Sequence, residues 1–342
     1  MKKNIFKGLL PEDLKKLKKI PQPDFVPPML AVLTNKYFTS EDWIYEHKFD
    51  GQRCEVIKKN GKVVLMSRNK RKINDEYPEL AQALEKQKAD NFIIDGEIIA
   101  LGKKGVSNFE LLQSRINLKD ILKIEQRKKA IPVIFQIFDI MYVSGYDTHE
   151  LPLLIRKKIL KKLLNYNKIL IYSPHKSGNG LLYLKQACKK HWEGLIAKKA
   201  DSIYTGRRSP TWLKFKCGMG QELVIGGYTK PKGSRTDLGA LLVGYYKNGK
   251  LKYAGKVGTG YTQETLKMLG KKLRALEIKK CPFDGYDEST KDVHWVSPKL
   301  VADFKFANWT NEGKLRVGRY KGLRTDKAAK DVILELPNKM PS

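Results

Sequence analysis

The chain has 342 residues, of which 41% are hydrophobic, so it encodes a globular protein with room for two domains and not a disordered basic tail. Its 67 Lys and Arg against 36 Asp and Glu leave a net charge of +31, which predicts a polyanionic partner. Nucleic acid is the first candidate and an anionic membrane surface is the second. Ribosome binding or a general enrichment in lysine would also raise the charge.

The four cysteines, Cys54, Cys188, Cys217 and Cys281, are scattered and form no CxxC pair. This spacing argues against a zinc site or a disulfide framework and is typical of a protein from a reducing cytoplasm. No segment approaches the roughly 18 apolar residues of a membrane span. The apolar part of MKKNIFKGLL is too short for a signal peptide, so we expect a cytosolic protein.

Residues 1–26 form a basic lead-in, and a series of predicted strands follows. CEVIKKNGKVVLMSR has two β-rich arms around Asn60-Gly61, a pattern that predicts a hairpin. NFIIDGEIIAL and IPVIFQIFDIMYV are also β-rich, although Asp95-Gly96 inside the first would by itself suggest a turn. FELLQSRINLKDILKIEQRK and LPLLIRKKILKKLLNYN have helical spacing, and GLIAKK and TWLKFK are short strands.

The composition changes from residue 221 onward. ELVIGGYTK, GALLVGYYKNGKLKYAGKVG and LVADFKFANWT are β-rich and punctuated by glycine, with one helical segment, TQETLKMLGKKLRAL, among them. This texture predicts a small barrel that follows a larger α+β domain, with a boundary near CGMGQ at residues 217–221.

Lys48 lies in EHKFDGQR, between Glu46 and Asp50 and beside His47. An ammonium group becomes a nucleophile only after it loses a proton; burial and nearby cations lower its pKa, whereas nearby acids raise it. A nucleophilic Lys48 therefore requires further cations and a metal close by in the fold. The alternative is an exposed, charged turn.

Two further clusters would supply those groups. Glu97 lies inside the apolar segment FIIDGEIIA and Glu193 directly precedes GLIAKK, where a carboxylate is costly unless it is paired or coordinates a metal. Two such carboxylates suit a Mg²⁺ ion that bridges nucleotide phosphates. In WLKFK, the period of two directs Lys214 and Lys216 to one face, as phosphate binding requires. Solvent-facing turns and a solvated lysine face are the alternatives.

The order KFDGQR, SRNK, DGE, FDIMY, EGLIAKK, WLKFK resembles the nucleotidyltransferase motifs of ATP-dependent DNA ligases. GRRSPTWLKFK, GYTKPKGSRTDLGALLVGYY, YAGKVGTGYT, LVADFKFANWT and YKGLRTDK resemble the ligase module of bacterial LigD-type end-joining ligases, so the resemblance covers residues from about 27 to 330. It implies an α+β fold in which a nucleotidyltransferase (adenylation) domain of antiparallel sheets and helices, residues 27–219, precedes a C-terminal OB-fold β-barrel, residues 220–342.

The resemblance implies that Lys48 is catalytic and forms a covalent lysyl-AMP, with ATP and Mg²⁺ as cofactors and Mn²⁺ as a substitute metal. The implied nucleotide-binding residues are Glu46, His47, Lys48, Arg53, Arg68, Glu97, Phe138, Lys214, Lys216, Arg324 and Lys327. The implied metal ligands are Glu97 and Glu193. The implied DNA contacts are Arg53, Arg68, Arg207, Arg208, Lys232 and Arg235.

Within that set, Phe138 would stack on adenine, while Glu46 and the backbone beside His47 would read the edge of the base. The tail from Arg324 to Lys327 would swing over ATP to orient the leaving pyrophosphate. A hinge near residues 217–221 would absorb this motion.

The implied activity is the sealing of breaks in duplex DNA, in repair of nicks or in end joining. Nicked or broken duplex DNA is the expected partner, and a Ku-like end-binding protein is a candidate partner. We expect a monomer that works in the cytoplasm at the bacterial nucleoid and does not bind membranes. Two alternatives are an RNA ligase or capping guanylyltransferase, which the LigD-like C-terminal segments argue against, and a non-catalytic DNA-binding protein that contains an OB-fold.

Overall fold

The structure is a computed structural model that describes residues 5–102, 104–231, 236–310, 312–325 and 327–335. The described residues up to Cys217 form one compact unit, and residues 218–335 form a second. Lys232 and Arg235, two of the predicted DNA contacts, lie outside the described residues.

The first unit contains two β-sheets with helices packed around them. Its strands are β1 (Lys18–Lys19), β2 (Leu30–Leu33), β3 (Trp43–His47), β4 (Gln52–Lys59), β5 (Lys62–Ser67), β6 (Phe92–Ala100), β7 (Val133–Val143), β8 (Tyr146–Asp147), β9 (Leu170–Tyr172), β10 (His175–Ser177), β11 (Gly194–Lys199) and β12 (Arg208–Lys216). Its helices are α1 (Pro11–Lys16), α2 (Pro78–Glu85), α3 (Phe109–Gln113), α4 (Ile121–Ala130), α5 (Leu153–Leu163) and α6 (Gly180–Lys189).

The first sheet has seven strands in the order β1-β8-β7-β6-β4-β5, with β9 also paired to β7. The second sheet has five strands in the order β10-β3-β11-β12-β2. Strand pairs are antiparallel except β7 with β9 and β12 with β2. A hydrophobic cluster that includes Ile57 and Ile93 from the first sheet and Ile44 and Trp212 from the second fills the space between them. The two sheets therefore face each other, and side chains on their inner faces can converge.

The predicted hairpin is confirmed, because β4 pairs with β5 and Asn60 and Gly61 form the turn with φ of 50° and 81°. The turn suggested at Asp95-Gly96 is wrong. Both residues lie in the middle of the continuous strand β6. A Cβ atom at Gly96 would lie 2.4 Å from the ring of Phe135, so this glycine permits close packing against β7 and does not make a turn.

The segment FELLQSRINLKDILKIEQRK forms two helices, α3 and α4, and not one. Each begins at a side-chain cap: Asn108 accepts a hydrogen bond from the N–H of Glu110, and Asp120 accepts from Leu122 and Lys123. Asn117, between the helices, has a φ of 64°, which no helix can continue through.

Cys188 and Cys217 form a disulfide bond, with their Cα atoms 5.2 Å apart, so the expectation of no disulfide is wrong. Cys188 lies in the last turn of α6, and Cys217 directly follows β12. The two cysteines are 29 positions apart in sequence, and they meet because α6 packs on the second sheet. Cys54 and Cys281 are free thiols.

The second unit is a small β-rich domain. Its elements are β13 (Met219–Thr229), β14 (Leu241–Lys247), β15 (Lys250–Val257), α7 (Gln263–Arg274), β16 (Glu277–Ile278), β17 (Val293–Phe306), β18 (Asn308–Trp309), β19 (Leu315–Arg316), β20 (Arg319–Arg324) and a short 3₁₀ helix, Ala329–Asp331.

Its main sheet has the order β15-β14-β13-β17-β16, with β20 also on β17. Thr259, which follows β15, and Arg319, the first residue of β20, form an isolated β-bridge. In the described residues β15 and β20 do not pair along their length, so the sheet is not a fully closed barrel. The predicted α+β class with a C-terminal OB-fold is confirmed. No helix in the described part of the chain is long and apolar enough to cross a membrane.

Candidate active site

The second sheet presents a row of charged side chains to the space between the sheets. In the register of β3, β11 and β12, Glu46 lies opposite Ile196, which lies opposite Lys214, and Lys216 lies opposite Gly194. Residues directly opposite each other on neighbouring strands share a face of the sheet, as do residues two apart on one strand. Glu46, Lys48, Lys214 and Lys216 are therefore on one face.

Lys48 directly follows β3, and its N–H donates to the carbonyl of Gly194 at 3.0 Å. Its Nζ lies 2.6 Å from Oε1 of Glu193, with side-chain exposures of 18% for the lysine and 24% for the glutamate. Burial by itself lowers the pKa of Lys48. The negative charges of Glu193 and, at longer range, of Asp50 and Glu97 raise this pKa by more than burial lowers it, so the net shift is upward. The predicted nucleophile is therefore a partly buried ammonium that is held protonated by its ion pair.

Glu193 interacts electrostatically with three lysines. Burial raises its pKa, and Lys48, Lys216 and Lys214 together lower it below its usual value, so Glu193 is a carboxylate. These contributions fall off with distance, which means that both lysines of the WLKFK motif lie close to Glu193. The structure thus brings together four residues that the sequence separates by up to 168 positions (216 − 48).

Glu97, the second predicted metal ligand, lies on β6 directly opposite Arg53 on β4. Its charge is close enough to raise the pKa of Lys48, so both predicted metal ligands lie around the same ammonium group. No group of three or more His, Cys, Asp or Glu side chains in the described residues could hold a metal ion on its own. Two carboxylates suit Mg²⁺, which keeps several waters and takes its other ligands from substrate phosphates.

Arg53 is held by Asp95, a residue that the sequence analysis did not assign to the site. Its Nε and Nη2 donate to the two carboxylate oxygens at 2.5 and 2.6 Å. The hydroxyl of Tyr204 also donates to Asp95, at 2.7 Å. The Arg53 guanidinium lies 4.7 Å from the ring centroid of Phe138. Arg53 therefore lies beside the predicted adenine platform, and its contact with ribose or phosphate stays a prediction.

Glu46 is buried between two lysines that the sequence analysis missed as site residues. Lys157 on α5 donates to its Oε1, and Lys198 on β11 donates to its Oε2 at 2.8 Å. Burial raises the pKa of Glu46, but Lys157 and Lys198 outweigh it and the net direction is downward, so the carboxylate is ionised. Lys157 could have been found in the sequence, because it lies on the face of α5 that also carries Leu153 and Leu160.

Phe138 lies on β7 and is 8% exposed, within the cluster between the sheets. The ammonium group of Lys198 is 4.4 Å from its ring centroid. Lys198 therefore connects the carboxylate of Glu46 to the ring of Phe138, and that ring in turn contacts the guanidinium of Arg53.

Four other predicted residues lie at strand ends. Arg68 directly follows β5, whose last residue, Ser67, lies opposite Cys54, the neighbour of Arg53. Arg207 and Arg208 are exposed at the start of β12, at the opposite end from Lys214 and Lys216. The predicted residues of the C-terminal tail lie in the second unit, where Arg324 ends β20 and Lys327 donates to Glu222 at 2.8 Å.

The side chain of His47 lies away from this row, on the other face of β3. Its ring stacks on Trp192, with 3.8 Å between centroids and 15° between planes. Burial, followed by the charge of Lys48, lowers the pKa of His47 to about 4, although Glu193 opposes the shift. His47 is thus a neutral packing residue, and only its backbone can face the nucleotide.

Two family models match the chain. "ATP dependent DNA ligase domain" matches residues 28–216, and "ATP dependent DNA ligase C terminal region" matches residues 234–327. The chain is 34% identical over 326 residues to the multifunctional non-homologous end joining protein LigD of Pseudomonas aeruginosa, with 93% of this chain and 38% of the relative covered. It is 35% identical over 318 residues to the multifunctional non-homologous end joining DNA repair protein LigD of Mycobacterium tuberculosis, with coverages of 91% and 40%.

A similar solved structure is a mycobacterial DNA ligase D complexed with ATP and MES, which is 33% identical with a TM-score of 0.65. The match covers 90% of this chain and 98% of that one. The chain therefore spans all but a few residues of that solved chain but less than half the length of the two LigD relatives.

Proposed function

Because the chain belongs to the ATP-dependent DNA ligase family, we propose that it seals breaks in duplex DNA through a covalent lysyl-AMP on Lys48. The observation that carries the proposal is the contact between Lys48 and Glu193, with Lys214 and Lys216 close to the same carboxylate. A surface turn would not place a partly buried lysine against one carboxylate, with two further lysines on the same face of the sheet.

In the first step, the Nζ of Lys48 attacks the α-phosphorus of ATP. A P–N bond forms, the bond to the bridging oxygen breaks, and pyrophosphate leaves with the electron pair. Lys214 and Lys216 neutralise the charge on the phosphate oxygens. Glu97 and Glu193 would hold Mg²⁺, or Mn²⁺ in its place, and the metal would supply further neutralisation of phosphate charge.

Lys48 has to lose its proton before it attacks. Glu193 accepts a hydrogen bond from the ammonium group and is the nearest base to it. When the phosphates and their countercharges occupy the site, the cations Lys214 and Lys216 favour neutral Lys48, and its proton passes to Glu193 and from there to solvent. Substrate binding and activation of the nucleophile are coupled in this way.

The remaining steps transfer AMP from Lys48 to the 5′-phosphate at a break and then release it. In the second step the phosphate oxygen attacks the AMP phosphorus and the P–N bond breaks. In the third step the neighbouring 3′-hydroxyl attacks the 5′-phosphate, AMP leaves and the strand is continuous. Each step is a displacement at phosphorus, so the same lysines can serve all three.

We assign nucleotide recognition to the inner faces of the two sheets. Phe138 would stack on adenine, and Glu46, fixed by Lys157 and Lys198, would read the edge of the base together with the backbone at His47. Arg53 and Arg68 would contact ribose and phosphates and then the 5′-phosphate of the break. Arg53 would then give up its ion pair with Asp95 and bind these groups instead.

The second unit would contribute Arg324 and Lys327, which orient pyrophosphate in the first step. Lys327 would leave Glu222 for this purpose. The DNA contacts would further include Arg207, Arg208, Lys232 and Arg235, and the net charge of +31 supports a polyanionic substrate. Affinity for DNA should fall with salt, and each phosphate contact should contribute roughly −0.9 to the slope of log affinity against log salt concentration.

We propose that the enzyme acts in DNA repair as a monomer, in the cytoplasm at the nucleoid. The LigD relatives are named for non-homologous end joining, which makes double-strand-break ends a substrate to test beside nicks. A Ku-like end-binding protein is the partner to test. If it recruits the enzyme, its addition should increase sealing of double-strand ends more than sealing of nicks.

The central test is incubation with α-labelled ATP and Mg²⁺, followed by a denaturing gel and by a nick-sealing assay. The wild type should carry the label and seal nicks, and Lys48→Ala should do neither. Lys62→Ala, which removes an exposed lysine from the start of β5, is the matched control and should retain both activities. Labelling of the Lys48→Ala variant, or label transfer from GTP but not ATP, would refute the proposal.

A further inference from the structure

We propose that Trp192 is a positioning residue, whose stack on His47 sets the placement of Glu193 beside Lys48. This inference rests on the roles proposed above for Lys48 and Glu193. It assigns a function to an aromatic pair on the face of the second sheet opposite to Lys48 and Glu193.

The stack joins the two segments that carry the reactive groups. His47 directly precedes Lys48, and Trp192 directly precedes Glu193. The two rings are 3.8 Å apart and nearly parallel, while the side chains of the next residues are 2.6 Å apart on the opposite face. Neighbouring side chains of an extended chain point to opposite faces. The peptide between His47 and Lys48 and the peptide between Trp192 and Glu193 therefore join the aromatic contact on one face to the ion pair on the other.

The backbone on either side of Trp192 is fixed. The N–H of Trp192 donates to the carbonyl of Ala187, and the carbonyl of Glu193 accepts from the N–H of Cys217, both at 3.0 Å. Gly194 has a φ of 147°, and a Cβ atom there would lie 1.9 Å from the carbonyl oxygen of Phe215. Between these backbone hydrogen bonds, the ring stack of Trp192 on His47 is the side-chain contact that joins this segment to the residue before Lys48.

The aromatic surroundings of Trp192 hold its ring in this orientation. Tyr183 on α6 packs edge-on against it at 6.0 Å, and the ammonium of Lys190 is 5.5 Å from its centroid. Phe49 packs on His47 at 4.3 Å. The stack is thus the centre of a packed aromatic group, and loss of the indole would remove the side-chain contact that holds the Glu193 segment against the Lys48 segment.

A role in hydrophobic packing alone is the competing explanation, since Trp192 also contacts the cluster beneath α6. The two explanations differ in what they affect. Packing alone would change stability and not the metal dependence of the chemistry. A positioning role would change the concentration of Mg²⁺ needed for formation of lysyl-AMP, because Glu193 is one of its proposed ligands.

The test compares Trp192→Leu with Trp43→Leu, which removes an indole from the same cluster at the other end of β3. Single-turnover formation of lysyl-AMP is measured across Mg²⁺ and ATP concentrations, with thermal melts in parallel. Trp192→Leu should be slower by about ten- to a hundredfold, as expected for a misplaced reactive group, and should need more Mg²⁺. Trp43→Leu should match the wild type, and Trp192→Phe should recover most of the rate.

His47→Leu removes the stack from its other side and keeps the proposal testable if Trp192→Leu does not fold. It should show the same defect, and the double variant should be no slower than either single variant. An unchanged Mg²⁺ requirement in Trp192→Leu, or additive defects in the double variant, would overturn the inference. Absence of lysyl-AMP in the wild type would instead refute the proposed function.

Discussion

Reduction of the Cys188–Cys217 disulfide should destabilise the first unit by several kcal/mol. The bond closes a loop in which the two cysteines are 29 positions apart. In the chain-entropy model, a loop of that length lowers the entropy of the unfolded state by about 12 cal/mol/K, or about 3.6 kcal/mol at 25 °C. The loop includes the proposed metal ligand Glu193 and the paired strands β11 and β12, so the loss should be largest where the proposed site lies.

Hydrogen exchange followed by mass spectrometry measures this loss segment by segment. Peptides from β11 and β12 should exchange about 400-fold faster after reduction, which corresponds to about 3.6 kcal/mol. Cys188→Ser should reproduce the reduced state without a reductant, and Cys281→Ser, which removes a free thiol from the second unit, should have no effect on these peptides. A change below about threefold in both Cys188→Ser and the reduced wild type would refute the entropic argument.

Three further predictions concern buried or partly buried charged groups. Glu193→Gln should slow formation of lysyl-AMP at least about a hundredfold in the assay described above. Its affinity for a nicked duplex, measured by gel shift, should stay within about twofold of the wild type. A loss of DNA binding as large as the loss of rate would indicate a structural role. Burial raises the pKa of Glu55 from 4.5 in the unfolded chain to about 8 in the folded protein. Between these two pH values the folded state binds a proton that the unfolded chain has released. The free energy of unfolding should therefore be greatest below pH 4.5 and fall as the pH rises towards 8. Denaturant unfolding should show a fall of up to about 5 kcal/mol that is absent in Glu55→Gln; the same slope in both proteins would contradict it. Lys198→Met should cost about 3–5 kcal/mol in the same unfolding measurement, because Glu46 loses one of two buried partners, and Lys199→Met, at an exposed neighbouring position, is the control.

Local features of the fold were predictable because they depend on neighbours in sequence. Asn60-Gly61 forms its turn from its own backbone preferences, and Lys214 and Lys216 share a face because a strand has a period of two. The order of the motifs then indicated which distant segments would meet. Lys48 and Glu193 do meet, at 2.6 Å.

Features that depend on a partner far along the chain were not predictable. Gly96 looked like a turn residue, because nothing nearby in sequence reveals that the ring of Phe135 will occupy the space of its side chain. The disulfide was missed for the same reason. Lys157 shares the apolar face of α5 with Leu153 and Leu160, but only the packing of that helix shows that its partner is Glu46, 111 positions away.

The state of Lys48 follows from a balance between burial and charge. Burial alone would lower its pKa and produce a reactive amine, but Glu193, Asp50 and Glu97 together outweigh burial and keep the proton in place. Of these acids, Glu193 is the one in direct contact, and it is also the one surrounded by Lys214 and Lys216. A substrate that brings phosphate charge and its counterions into the site would change the environment of Glu193. We therefore propose that Lys48 keeps its proton in the free enzyme and becomes a nucleophile when a nucleotide occupies the site, with Glu193 as the carboxylate that couples binding to reactivity.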